Sequence, residues 1–176
     1  MQLLDASEIE QLLDKRQDLV NTGANAYLAQ LVNSGCTDLY QQAISISQSA
    51  RARSGDFFEK LWSGFLTCQG FSVIEQPQSL SKKRADLCLD NRIVIDTTTC
   101  NRERMKNKIL YQKDYPDKEL HIITGDKKPP SKDDMTTLIN SGVHLIVRDS
   151  VHLSIDSHPY IHSFSSYVNE IRIRNC

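Results

Sequence analysis

Apolar residues recur at helical spacing through the first seventy residues of the chain. Ser7 is followed three residues later by Glu10, a capping-box arrangement that predicts the start of a helix over residues 6–20. The apolar positions behind this box are Ile9, Leu12, Leu13 and Leu19. Two more amphipathic stretches, residues 24–33 and 38–48, extend the pattern, so residues 1–50 are predicted to form a helical N-terminal segment.

A stronger helix is predicted from Asp56 to Gln69, because its large apolar residues fall on one side. Those residues are Phe57, Phe58, Leu61, Trp62, Phe65 and Leu66. Gly70 follows directly, as expected for the residue that ends a helix in a left-handed conformation.

Beyond Gly70 the apolar runs become short and are bounded by turn residues, which is typical of strands. Strands are predicted at residues 71–74, 85–89, 93–98, 120–124 and 143–147, with a short one at 151–155. Helices are predicted at residues 102–113, 131–141 and 160–173. This alternation predicts an α/β fold in which residues 51–176 form one domain, a central mixed sheet flanked by helices.

Composition narrows the class of protein. The chain has 176 residues, 39% hydrophobic and 24% charged, and a net charge of −1, which argues against nonspecific coating of nucleic acid but allows a local basic groove. No apolar run reaches the ~20 residues that a membrane helix needs. The cysteines are odd in number and scattered, which favours reduced thiols in a soluble cytoplasmic protein: Cys36, Cys68, Cys88, Cys100 and Cys176.

Two aspartates, Asp86 and Asp96, lie on consecutive strands joined by a short turn. A three-residue loop at 90–92 would place them opposite each other on one face, whereas a two-residue loop at 90–91 would turn them to opposite faces. Carboxylates about 5 Å apart repel each other, and a Mg²⁺ ion with its preference for oxygen ligands removes that conflict. The alternative is a pair of solvated strand-edge aspartates, but Asp96 follows directly on the buried run 93–95.

The triplet Arg102-Glu103-Arg104 lies just beyond the strand that carries Asp96. Arginine can bind the O6 and N7 atoms of guanine with two hydrogen bonds, and a carboxylate can accept from the N4 amino group of cytosine. The triplet therefore suits G·C pairs, although an exposed helix start with mixed charge is the simpler interpretation of the three residues by themselves.

Taken together, these motifs resemble the type II restriction endonucleases of the EcoRII C-terminal domain, SsoII and PspGI group, within the PD-(D/E)xK nuclease superfamily. The resemblance covers residues 53–168 and rests on the helix motif at residues 53–59, the strand motif Ala85-Asp86 and the triplet at 102–104. It implies a restriction-endonuclease-like α/β/α core and a homodimer of a bacterial or archaeal restriction-modification system. It also implies Mg²⁺-dependent cleavage of double-stranded DNA at a short palindrome with CC/GG half-sites.

The resemblance also assigns site residues. Asp86 and Asp96 would bind the metal, Glu59 would assist catalysis, and Arg102, Glu103 and Arg104 would read bases. Two positions depart from the family pattern: Thr98 stands where the family has its catalytic lysine, and Tyr111, thirteen residues further, stands where it has its second acid. Asp96 substitutes for that acid, since the wider superfamily keeps its second acid two residues before the lysine.

Three explanations of the missing lysine remain open. Thr98 would orient water while Lys106 or Lys108 supplies the positive charge, the lysine was changed to trap a complex, or the chain binds its site without efficient cleavage. The last explanation corresponds to a sequence-specific DNA-binding protein with a degenerate nuclease site. A less specific repair or defence nuclease is a further alternative.

The histidines and the short basic clusters give weaker indications of function. The histidines show no metal-ligand spacing along the chain, which favours a structural role for each: His121, His144, His152, His158 and His162. The basic clusters 82–84 and 127–128 suit contact with phosphate or ordinary solvated loops equally well.

Overall fold

The computed structural model of the chain describes residues 6–14, 54–98, 105–153 and 158–174. It divides into two compact units, Met1–Val73 and Ile74–Cys176. The predicted domain boundary between residues 50 and 51 stays a prediction. None of the described helices is long and apolar enough to cross a membrane.

The described part of the first unit consists of helices α1 (Ala6–Asp14) and α2 (Ser54–Cys68). Both were predicted, and the buried apolar side chains of α2 are among those that share its apolar side: Phe58, Leu61, Trp62, Phe65 and Leu66. The Trp62 ring packs edge-on against Phe65, with ring centroids 5.5 Å apart. Gly70 has a φ of 92°, the left-handed conformation expected after a helix. The helices predicted at residues 24–33 and 38–48 lie outside the described residues.

A six-stranded mixed sheet forms the centre of the second unit and confirms the predicted fold class. Its strands are neighbours in chain order, the β2–β3 pair is antiparallel, and the pairs from β3 to β6 are parallel. The strands are β1 (Val73–Glu75), β2 (Leu87–Leu89), β3 (Ile93–Thr98), β4 (Glu119–Thr124), β5 (His144–Val147) and β6 (Ile161–Ser163).

Helical segments cover both faces of this sheet. A 3₁₀ helix (Met105–Leu110), α3 (Tyr111–Asp114) and α4 (Lys132–Asn140) make the crossovers between parallel strands. Met105 of the 3₁₀ helix and Met135 and Leu138 of α4 join Val94, Leu120, Ile122 and Leu145 in one buried apolar cluster. Helix α5 (Phe164–Arg174) lies against the opposite face, where the Tyr167 ring packs on His121 with centroids 5.5 Å apart.

Helix α4 has the ends that its sequence predicts. The Ser131 hydroxyl caps the helix by accepting a 3.1 Å hydrogen bond from the backbone N–H of Asp134. Gly142, which follows the helix, has a φ of 71°, and the observed helix agrees with the predicted bounds of 131–141 to within one residue at each end.

Three predicted elements differ in the structure. The continuous helix predicted over 102–113 is wrong in its described part, which is a 3₁₀ helix followed by the single turn of α3. Only Met105 of the 3₁₀ segment is buried, so tertiary contacts rather than an apolar stripe determine its geometry. The helix predicted from residue 160 begins only at Phe164, because Ile161–Ser163 pairs with β5 as an edge strand. The short strand predicted at 151–155 is not formed at residues 151–153.

Candidate active site

The β2–β3 hairpin has the register that brings the two aspartates together. Leu89 pairs with Ile93 across a loop in which Asp90 and Asn91 have φ values of 48° and 55°. The Arg92 N–H closes the turn on the Leu89 carbonyl at 3.0 Å, and the pairing with Ile93 leaves a three-residue loop. Continued along the strands, this register places Asp86 opposite Asp96, on the sheet face that carries α4.

Hydrogen bonds to the backbone at Ala85 and Asp86 hold Asp86 in place. The buried Tyr115 hydroxyl accepts a 3.1 Å hydrogen bond from the Ala85 N–H and donates one of 2.9 Å to the Pro77 carbonyl. The Asp86 N–H donates to the Ile95 carbonyl at 3.1 Å. The start of β2 is therefore tied to both its neighbouring strand and the preceding loop.

The Asp86 carboxylate is bound by the strand that carries Asp96. Its Oδ2 atom accepts hydrogen bonds from the Thr97 backbone N–H at 2.6 Å and from the Thr97 hydroxyl at 2.8 Å. Burial and, to a smaller extent, the negative charge of Asp96 raise the pKa of Asp86 to about 6, against the opposing effects of Thr97 and Lys108. The two carboxylates therefore interact strongly enough to repel each other.

Lys108 reaches this acidic pair from the 3₁₀ helix. Asp96 is only 3% exposed, and its Oδ2 atom forms an ion pair with the Lys108 ammonium group. The Tyr111 hydroxyl also hydrogen-bonds to Asp96. Burial and the charges of Asp96 and Asp86 raise the pKa of Tyr111, so this phenol stays protonated and remains a donor at neutral pH.

The donor set of this site fits a hard divalent cation. Asp86 and Asp96 offer carboxylate oxygens, the ligands that Mg²⁺ takes in proteins together with water and phosphate. Burial and the charge of Asp96 together raise the pKa of Asp86, and a cation between the two carboxylates would offset both effects. Lys108 compensates only part of this negative charge, since one ammonium faces two carboxylates.

The structure distinguishes the two lysines considered as replacements for the family lysine. Lys106 forms a 2.8 Å ion pair with Asp133 at the surface, whereas Lys108 contacts Asp96 directly. Thr98 is half-buried and lies two residues after Asp96, so strand alternation puts both side chains on the same face. No local pattern singled out Lys108, because a crossover connection makes its contact with a residue twelve positions earlier.

The other predicted site residues remain predictions. Glu59 is half-buried in α2 of the first unit, which is described separately from the sheet. Arg102, Glu103 and Arg104 lie outside the described residues.

Sequence reasoning missed a cluster of histidines on the opposite face of the sheet. His121 and His144 are direct partners in the β4–β5 register, and Glu119 lies two residues before His121. The two histidines are 23 residues apart along the chain, so no local pattern predicts that they are neighbours. Only the parallel register of β4 and β5 pairs them. The signal in the sequence for part of this cluster was strand alternation, which places Glu119 and His121 on one face of the sheet.

Solved restriction endonuclease structures share this architecture. Metal-depleted Ecl18kI in complex with uncleaved, modified DNA superposes with a TM-score of 0.59 at 17% identity, covering 94% of this chain and 61% of that one. The corresponding Ecl18kI complex with uncleaved DNA gives 0.58 at 18% identity, covering 94% and 60%. The complex of restriction endonuclease PspGI with substrate DNA gives 0.58 at 11% identity, covering 97% of this chain and 92% of that one.

This chain thus spans about three fifths of the Ecl18kI chain and nearly all of the PspGI chain. By sequence, no family model and no curated protein matches it. The similarity is one of three-dimensional structure. It shows that this chain has the α/β fold of the type II restriction endonucleases.

Proposed function

We propose that this protein is a type II restriction endonuclease, a homodimeric, Mg²⁺-dependent hydrolase that cuts double-stranded DNA at a short G·C-containing palindrome. The observation that carries this proposal is the convergence of Asp86, Asp96 and Lys108 on one face of a sheet with the restriction endonuclease fold. Hydrolysis of a phosphodiester needs carboxylates for a metal ion and a cation for the negative charge that develops on the phosphate. The three side chains meet both needs.

Asp86 and Asp96 would hold the Mg²⁺ ion, which when bound polarises the phosphate and makes a coordinated water more acidic. The hydrogen bonds from Thr97 hold the Asp86 carboxylate in one orientation. Lys108 stabilises negative charge beside Asp96, a position in which burial strengthens its electrostatic effect. Tyr111 donates to Asp96 and fixes the carboxylate from a second direction.

Lys108 supports the first of the three explanations for the missing family lysine. In this mechanism the positive charge comes from the 3₁₀ helix after β3, and Thr98 orients the attacking water from the strand itself. The assisting role of Glu59 in catalysis rests on the resemblance alone. The positive charge is then supplied by Lys108 instead of by the family lysine, and Asp86 and Asp96 keep a catalytic role.

Sequence recognition is assigned to the triplet Arg102, Glu103 and Arg104, which would read the CC/GG halves of the palindrome. A palindromic target has two-fold symmetry, so two copies of the chain would each read one half-site. Such an enzyme acts on DNA in the cytoplasm of a bacterial or archaeal cell, as part of a restriction-modification system.

A cleavage assay on plasmid DNA with Mg²⁺ tests the proposal. Wild type is expected to produce discrete fragments with mapped ends, and Asp86→Ala is expected to produce none. Asp133→Ala is the matched control, because it removes an exposed aspartate that pairs with Lys106 at the surface, and it is expected to cut like wild type.

The second candidate, a sequence-specific DNA-binding protein with a degenerate site, is favoured by Thr98 in the lysine position. It predicts tight and specific binding with no cleavage by either wild type or Asp86→Ala. A smear of fragments without defined ends would instead indicate a nuclease of low specificity. Either result would contradict the restriction endonuclease assignment.

A further inference from the structure

Glu119, His121 and His144 form a group of potential metal ligands on the sheet face opposite the acids. One donor atom from each residue lies within 4.8 Å of the other two. The Glu119 carboxylate oxygen is 3.2 Å from Nε2 of His121 and 3.8 Å from Nε2 of His144. Ligands about 2.1 Å from a tetrahedral Zn²⁺ ion lie about 3.4 Å from one another, so these separations already approach those of a coordination shell.

In both histidines, the ring nitrogen that is remote from Glu119 contacts another side chain, which orients the ring. Nδ1 of His121 lies 2.6 Å from the Tyr167 hydroxyl, and Nδ1 of His144 lies 2.9 Å from Nε2 of His162. In turn, Nδ1 of His162 faces the Glu170 carboxylate at 3.8 Å. Such partners on the remote ring nitrogen fix the tautomer and the orientation of histidines that bind metals.

Two sets of protons are compatible with these contacts. In one, His121 donates its Nε2–H to Glu119 at 3.2 Å and accepts at Nδ1 from Tyr167; in the other, which a metal ion requires, the Nε2 atoms of both histidines are acceptors. If His162 directs its Nδ1–H to Glu170, its Nε2 accepts the Nδ1–H of His144, and His121 donates its Nδ1–H to the Tyr167 oxygen. In this arrangement the Nε2 lone pairs of His121 and His144 both point toward the Glu119 carboxylate. Three acceptors that face one another need a cation between them, which is either a proton on an imidazole or a metal ion.

Burial and chemistry favour a transition-metal ion. His121 is 2% exposed and His144 is 4% exposed, so both rings are removed from bulk water. Imidazole and carboxylate together suit Zn²⁺, whereas Mg²⁺ prefers oxygen ligands alone. Glu119 is half-exposed, so its side provides an entry path and room for a water as the fourth ligand.

We propose that Glu119, His121 and His144 bind one Zn²⁺-type transition-metal ion, separate from the Mg²⁺ site assigned to Asp86 and Asp96. The register supports this separation, because His121 pairs with Ile95 while Asp96 pairs with Ile122, which places the two groups on opposite faces of the sheet. The ion would link β4 to β5 directly and both strands to α5 through Tyr167 and Glu170. Its purpose is structural, and it does not depend on nuclease activity.

Isothermal titration of chelator-treated protein with Zn²⁺, in buffer containing Mg²⁺, tests this site. Wild type is expected to bind one Zn²⁺ per chain, and Glu119→Gln is expected to lose this binding without unfolding, because its side chain is half-exposed. Tyr167→Phe keeps the ring but removes the partner of His121, and it is expected to weaken Zn²⁺ affinity by roughly 10- to 100-fold. Saturating Zn²⁺ should also raise the unfolding temperature of wild type but not that of Glu119→Gln.

Two controls separate this site from other sources of Zn²⁺ binding. His152→Asn removes an exposed histidine outside the cluster and should leave Zn²⁺ affinity unchanged. Asp86→Asn should also retain the stoichiometric Zn²⁺ binding, since the acids lie on the other face. Loss of binding in Asp86→Asn, unchanged binding in Glu119→Gln, or no stoichiometric binding by wild type would each overturn the proposal. Circular dichroism of every variant confirms that the comparison is between folded proteins.

Discussion

Asp96 is the residue on which the acidic site depends most. A buried carboxylate costs free energy unless a cation or hydrogen-bond donors compensate its charge, and Asp96 has both in Lys108 and Tyr111. Asp86 is compensated less completely, because burial and the charge of Asp96 raise its pKa to about 6 although it accepts hydrogen bonds from Thr97. The difference between the two aspartates leads to two predictions at the scale of single residues.

Replacement of Lys108 by glutamine should abolish most of the cleavage activity. The variant loses the positive charge beside Asp96, and the loss of one electrostatic stabiliser in an active site costs on the order of 10²-fold or more in kcat. Lys106→Gln is the matched control, since Lys106 contacts Asp133 at the surface instead. Single-turnover cleavage rates measure both variants. Equal rates for Lys108→Gln and Lys106→Gln would contradict the role assigned to Lys108.

Replacement of Asp86 by asparagine should stabilise the metal-free protein above pH 6. The pKa of Asp86 is raised from 3.8 in the unfolded chain to about 6 in the fold, so the folded protein binds this proton more tightly than the unfolded chain does. The stability that results is complete below about pH 4 and is lost as pH rises through 6. Asparagine cannot ionise and can still accept from Thr97. We expect a gain of roughly 1–3 kcal/mol in the free energy of unfolding at pH 8.

Urea denaturation with a chelator, at pH 4 and at pH 8, measures this difference. The gain of Asp86→Asn over wild type should shrink toward zero at the lower pH, where wild-type Asp86 is protonated as well. A gain that is independent of pH would mean that ionisation of Asp86 does not cause it. Added Mg²⁺ should stabilise wild type more than the variant.

At the scale of elements, the 3₁₀ helix is the segment that delivers Lys108 to the acids. Its position is set by α4, because Oδ1 of the buried Asp134 accepts a 3.1 Å hydrogen bond from the Lys106 N–H. The same aspartate accepts at Oδ2 from the Ser131 hydroxyl that caps α4. One residue therefore connects the cap of a helix to the position of a candidate catalytic lysine.

Asp134→Ala and Ser131→Ala should separate the effect of α4 stability from the effect of the position of Lys108. Both variants disturb the cap of α4, and loss of the serine cap costs about 1 kcal/mol of stability. Only Asp134→Ala also releases the Lys106 N–H, so only this variant should lower the cleavage rate substantially at a temperature where both remain folded. Thermal unfolding and single-turnover cleavage, measured side by side, test the expectation. A similar loss of rate in both variants would show that α4 stability alone matters.

At the scale of the whole molecule, the proposed function requires two copies of the chain on one DNA site. The palindromic target and the triplet at residues 102–104 are the basis of this expectation. Two predictions belong to this scale, one about recognition and one about assembly.

Replacement of Arg104 by alanine should weaken specific DNA binding by ~1–3 kcal/mol and relax the base preference, because it removes a guanidinium that can make two hydrogen bonds to guanine. Binding to a set of duplexes with single base-pair changes measures both effects. Arg84→Ala is a suitable control, since an arginine of a short basic cluster should affect all sequences alike. Unchanged discrimination in Arg104→Ala would show that the triplet does not read bases.

The active species on DNA should have twice the 20.0 kDa mass of the chain. Sedimentation analysis of the protein with a short duplex that carries the cleavage site measures this stoichiometry. A complex of one chain per site that still cuts both strands would contradict the two-fold arrangement.

The local elements of this protein could be read from its sequence because they depend on neighbouring residues. The apolar side of α2, the bounds of α4 to within one residue, and the bounds of β3 at residues 93–98 follow from short-range patterns of burial and backbone conformation. The acids Asp86 and Asp96 could also be named from the sequence. Their placement opposite each other depended on the loop length, for which the sequence allowed two answers.

Tertiary structure decided what depends on residues far apart along the chain. It selected Lys108 over Lys106, because the packing of the 3₁₀ helix on α4 determines which ammonium reaches Asp96. It also brought His144 beside His121, since the register of parallel strands is set by the whole sheet and leaves no periodic trace between the two residues. Side-chain chemistry is thus a property of the sequence, whereas the partners that give a charge its pKa or a metal its ligands are determined by the fold.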